Sequence, residues 1–170
     1  MKKQIQLLGG LMVFIALLTI NSTAFADFVI KGGGTVVVMN GTSLTSNTNV
    51  TIESSGTLDN SGTVTLNANF TNNGIADLGT GSIVLSGTAM QEFGGSSVSE
   101  IDHLTVNNTG PGVTLSGSLR VDNSFTLTDG LVDMADYSLT LGPSISEVLG
   151  TPSVNNMIVT NGLGELRKEF

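Results

Sequence analysis

"VTLSGSLRVDNSFTLT", residues 113–128, decides how the rest of this chain is read. Six of its eight odd positions are apolar: Val113, Leu115, Leu119, Val121, Phe125 and Leu127, with Gly117 and Asn123 the exceptions. All eight even positions are polar. A period of two is that of a strand with one face in a core and the other in water. "TVTLNANF", residues 63–70, repeats the pattern, with Val64, Leu66, Ala68 and Phe70 on one side and Thr63, Thr65, Asn67 and Asn69 on the other. From Asp27 onward helix signals are absent. The chain's 22 glycines, with recurrent Thr, Ser, Val and Asn, favour short strands joined by turns.

Internal repeats turn strands into an architecture. Gly62-Thr63-Val64-Thr65-Leu66 matches Gly81-Ser82-Ile83-Val84-Leu85 at an offset of 19. Gly74-Ile75-Ala76-Asp77-Leu78 matches Gly130-Leu131-Val132-Asp133-Met134 at an offset of 56, as Ser82–Leu85 matches Ser138–Leu141. Read as three coils, the second offset gives a coil of roughly 19 residues. The fold expected is all-β: a parallel β-solenoid (right-handed β-helix) of about seven coils stacked at ~4.8 Å, following an N-terminal signal helix. In it Leu58, Val64, Leu66 and Phe70 point inward, while Ser55-Gly56, Ser61-Gly62 and Asn72-Asn73-Gly74 form corners. Gly would supply positive φ there, and stacked Asn side chains would bond from coil to coil. An antiparallel β-sandwich of hairpins is the alternative, and the fixed-period self-similarity favours the solenoid.

Residues 1–26, "MKKQIQLLGGLMVFIALLTINSTAFA", have the layout of a secretory signal. Lys2 and Lys3 form the charged start, an uncharged run follows, and Ala24-Phe25-Ala26 is a small-x-small cleavage site. The apolar run is shorter than the ~20 residues of a spanning helix. Cleavage would leave Asp27 at the N-terminus, residues 27–34 as a flexible Gly-rich entry, and residues 35–170 as the solenoid domain. The mature chain then has 4 basic against 14 acidic residues, a net charge of −10, with Arg120 the only cation between Gly32 and Leu166. Such a balance excludes phosphate-neutralising surfaces, hence nucleic acid as a partner. No Cys is present, so disulfides, thiolate metal sites, Cys nucleophiles and lipidation at the cleavage site are excluded.

"GTVTLNANFTNNG", "LTVNNTGPGVTLSGSLRVDNSFTLTDGLVDMADYSLTLG" and "MIVTNGLGELRKEF" resemble the repetitive β-helical segments of large secreted proteins in Gram-negative bacteria that use the type IX route. The resemblance spans about residues 35–170. It implies a β-helical fold, export, and a longer parent that continues into further domains and a C-terminal sorting domain. This chain reaches Glu169-Phe170 without either, and so reads as truncated at the C-terminus.

The reactive residues are few. Asp129, Asp133 and Asp136 in "TDGLVDMADY" are candidates for the paired carboxylates of a glycosidase or for calcium ligands. Asp133 recurs with the repeat at Asp77, which is the behaviour of a corner residue, and the spacing fits neither an EF-hand nor the Gly-Gly-x-Gly-x-Asp repeat. His103 is the only His. A Ser-His-Asp set around it has no Gly-x-Ser-x-Gly elbow to accompany it. Arg120 alternates onto the wet face, where solvation is its ordinary lot. The predicted mature chain has no Trp, one Tyr (Tyr137) and five Phe, so it offers little for sugar stacking.

These residues support a secreted or cell-surface structural, adhesin-like solenoid, a spacer or display surface with no catalytic, cofactor or metal residue assigned. Part of a secreted polysaccharide-active lyase or hydrolase, and a calcium-dependent adhesion module, are the alternatives. Expected partners are extracellular glycans or cell-surface components, with no membrane contact after signal removal. An uncovered final coil implies end-to-end self-association of the isolated fragment.

Overall fold

The computed structural model describes residues 5–7 and 12–20 as backbone, and residues 26–77 and 79–170. Every strand joins one parallel sheet wound into a solenoid, and no helix occurs among the described residues. The coil has three sides. Face A stacks Phe28–Ile30, Val50–Ile52, Phe70–Asn72, Gln91–Gly94, residues 113–116 and 131–133, and Ile158–Val159. Face B stacks residues 35–38, Thr57–Asn60, Ile75–Asp77, residues 99–101 and 119–121, Leu139–Leu141 and Leu166–Lys168. Face C stacks residues 43–46, Thr63–Leu66, Ser82–Leu85, residues 103–106 and 124–127, and Val148–Gly150.

The repeat offsets are now explained, and one is corrected. The offset of 19 is a true coil, since Thr63 pairs with Ser82 and Leu66 with Leu85. The offset of 56 is not three coils. Ile75–Asp77 lies on face B and residues 131–133 on face A, while Ser82–Leu85 lies on face C and Leu139–Leu141 on face B. Both matches advance by eight faces, so the sequence unit is one face of about seven residues and the coil is nearer 21. Coils run from 18 residues (Thr57 to Ile75) to 27 (Leu139 to Leu166). The chain therefore makes about six turns, not seven.

Alternation builds the core as read. Val113, Leu115, Leu119, Val121, Phe125 and Leu127 are all buried, as are Leu58, Val64, Leu66 and Phe70. Inward residues stack on their counterparts one coil away: the Phe70 and Phe93 rings lie 4.8 Å apart at 18°, the strand spacing expressed in side chains. The antiparallel sandwich is excluded by the parallel register of every ladder.

Two local expectations change. Gly56, Gly62 and Gly74 do not carry positive φ; in the Ser55-Gly56 corner it is Ser55 that does, at 66°. Glycine is needed there because the chain runs hard against the coil below. A Cβ on Gly62 would sit 2.4 Å from the Met39 and Thr42 carbonyl oxygens, and one on Gly74 2.4 Å from that of Glu53. No N-terminal signal helix occurs among the described residues either, where strands stand instead. Ile5–Leu7 pairs in parallel with Phe28–Ile30, and Met12–Ile20 with the Thr35–Ser46 strand. The run "MVFIALLTI" holds Val13, Phe14, Ile15, Thr19 and Ile20, which favour strand, and the coil edge beside it offers unpaired N–H and C=O groups. Phe28–Ile30 is already a buried strand of the stack, followed by the turn at Gly32-Gly33.

Candidate functional site

Face B is interrupted midway along the stack. Ladders on face B pair three or four residues between most neighbours, but Ile75–Asp77 and the next coil share a single pair, Asp77 with Glu100. The strands part there, leaving a cleft of about 480 Å³. Ile75 and Val98, each 57% exposed, flank it, with Glu100, Asp102 and Asp122 along the same wall. Behind the cleft Asn72 is fully buried, and its amide donates to the Val98 carbonyl and to Ser99 Oγ, both at 3.3 Å. Its Oδ1 accepts from Gly74 N at 3.1 Å, so one side chain pins both rims.

A second hollow of about 550 Å³ continues along the corner between faces B and C. It is lined by hydroxyl residues, among them Thr42, Ser43, Ser61, Thr63, Thr80 and Ser82, and it ends at His103. His103 Nδ1 lies 2.8 Å from Ser124 Oγ, its register partner one coil on. Asp102 Oδ2 is 3.7 Å from Nε2, and its other oxygen accepts from Asn123 Nδ2. Serine, histidine and aspartate thus do meet. The aspartate is too far to hold the imidazole in one tautomer by a hydrogen bond, which a nucleophilic relay requires. The arrangement offers hydrogen-bonding groups along a groove.

Arg120 is not merely solvated. Its Nη1 and Nη2 donate to Glu169 Oε1 and Oε2 at 2.7 and 2.8 Å, and Nη2 reaches Asp122 Oδ1 at 2.7 Å. These bonds raise the Arg120 pKa, and the bond from Arg120 holds the Glu169 carboxyl below its ordinary range. Alternation placed Arg120 correctly on the wet face, but Glu169, 49 residues on, is beyond any sequence pattern.

Asp133 and Asp136 close a corner. Asp133 Oδ1 accepts from Ala135 N at 2.9 Å and Oδ2 from Asn161 Nδ2 at 3.0 Å, while Asp136 Oδ1 accepts from Leu163 N at 3.0 Å. Asp129 sits on the strand opposite Asn107. Among the described residues no three His, Cys, Asp or Glu side chains converge to hold a metal ion. Of the two signal-site alanines, Ala24 lies outside the described residues, and Ala26 is buried at 5%.

Buried amides are what the sequence reading missed. Asn60, Asn72 and Asn108 are fully buried, and each accepts from the glycine two residues on: Gly62, Gly74 and Gly110. Their amides donate to neighbouring coils, from Asn60 to Ser82 O at 3.3 Å and from Asn108 to Ala89 O at 2.8 Å. Asn-x-Gly at the end of an alternating run was the available signal. The coil-to-coil bonds expected of corner Asn are present: Asn72 reaches the next coil, and Asn73 Oδ1 accepts from Ser96 N at 3.0 Å.

No family model matches the chain, and no curated protein or solved structure matches it either.

Proposed function

We propose that this chain is a secreted or cell-surface structural β-solenoid, an adhesin-like spacer and display surface within a larger protein of the type IX kind. The observation that carries the reading is the stack itself. It is a continuous parallel sheet of about six turns, with the inward positions spent on core. The outward positions of face C are mainly hydroxyls: Ser43, Thr63, Ser82 and Ser124 in one column, and Thr45, Thr65, Thr105 and Thr126 in the other. A sheet so built holds side chains at fixed spacings along an axis, which is what a display surface needs.

Export follows from the layout of residues 1–26. Ala26 is buried once the chain is folded, so cleavage must precede folding, as it does for a chain threaded through a translocon. Mass spectrometry of protein recovered outside the cell is the test. An N-terminus at Asp27 is the expected result; protein that stays inside with Met1 intact removes the reading.

A further inference from the structure

The geometry points to the cleft at Ile75, Val98, Glu100 and Asp102 as a binding site for an uncharged glycan chain lying across face B toward its corner with face C. This rests on the display-surface reading and names the ligand class. The cleft is a built feature. It opens where the face B ladder narrows to the Asp77–Glu100 pair, and the buried Asn72 amide fixes its rims from behind. A site held this way spends little on ordering itself when a ligand arrives.

Its chemistry is mixed in the manner of a sugar ring. Ile75 and Val98 put exposed apolar surface at the opening, suited to the C–H face of a pyranose. Glu100 and Asp102 stand beside them as acceptors for sugar hydroxyls, and hydrogen bonds to a carboxylate are the stronger kind. Charge selects among glycans. Arg120, the cation nearest in register to Glu100, is committed to Asp122 and Glu169. A uronate, sulfate or phosphate group would therefore meet carboxylates with no cation to receive it. The cleft leads on into the hydroxyl-lined hollow, since Gly79 and Asp102 line the first and their neighbours Thr80 and His103 the second. At about 480 and 550 Å³ each is of ligand-site size, and together they give room for several sugars in a row.

The test is titration of the purified full-length chain, by NMR shifts and calorimetry, with cellohexaose, laminarihexaose and chitohexaose. A heparin hexasaccharide is the anionic arm and a chitosan hexamer the cationic one. At least one neutral hexasaccharide is expected to bind with little salt dependence, moving amide signals of residues 74–76 and 98–102. Glu100→Gln and Asp102→Asn should each weaken binding about tenfold. Val98→Asp should abolish it, while Glu92→Gln on face A leaves it unchanged; melting temperatures confirm that the variants fold. Failure of all three neutral ligands at millimolar concentration overturns the inference. So does preference for heparin, or chitosan binding that disappears with salt. If these fail while exported chain still begins at Asp27, the glycan site alone falls. If export fails, the display reading falls by its own measurement.

Discussion

Asn60 offers a direct measure of what holds one coil to the next. The side chain is fully buried, with Oδ1 accepting from Gly62 N at 3.0 Å and Nδ2 donating to Ser82 O at 3.3 Å. Asn60→Ala leaves the part-buried Gly62 N–H without its partner and removes a donor from the Ser82 carbonyl. An orphaned part-buried donor costs toward the low end of roughly 1–3 kcal/mol, and the lost bond to Ser82 adds about 1, giving about 2–3 kcal/mol together. With a urea slope of about 2 kcal/mol per molar, the unfolding midpoint should fall by about 1–2 M. Asn67→Ala, which removes the exposed bond to Asn47, should cost less than about 1 kcal/mol. Urea titration followed by circular dichroism distinguishes the two. Equal shifts, or an Asn60→Ala midpoint within error of the parent, would refute the view that buried amides bind the coils together.

Leu66, 1% exposed, stacks on Leu85, so Leu66→Asp should cost several kcal/mol and Thr65→Asp within about 1; equal losses would mean the faces are reversed. Asp133 and Asp136 close a corner through backbone N–H groups, so a chelator should leave the melting temperature unchanged, and a large drop would make them calcium ligands. The Arg120–Glu169 contact should respond to acid. The Glu169 carboxyl is held below its ordinary range, so the contact is complete above that range and is lost as pH falls through the lowered value. Protection of the Glu169 amide against hydrogen exchange, relative to an unstructured peptide at the same pH, should fall over that window, since this amide donates to Leu141 O at 2.9 Å. Glu169→Gln should remove the acid step, and a step that survives would assign it to another group.

The sequence made the strands legible because alternation is a local signal, and all six apolar odd positions of residues 113–127 did prove to be core. Coil length was less legible, because the three faces resemble one another. A match one face out of register, such as Ser82–Leu85 with Ser138–Leu141, looks as good as a true coil. Asn60, Asn72 and Asn108 sit where alternation asks for an apolar residue, and polarity alone argues for the surface; only the glycine two places on marks them as buried. The cleft was hidden for a different reason. It arises from a ladder that narrows between residues 77 and 100, and a missing pairing leaves no mark in composition. Residues 5–7 and 12–20 show the converse effect: segments rich in strand formers, set beside an open sheet edge, are recruited into the stack.

Parallel coils of this length also have a mechanical consequence. A pull applied between the two ends loads the ladders one rung at a time, so the outermost coil peels before the next feels the full force. Each released coil of about 21 residues yields roughly 70 Å of extended chain, although it occupied only ~4.8 Å of the stack. A stack made this way lengthens in steps under load and holds its remaining coils in register.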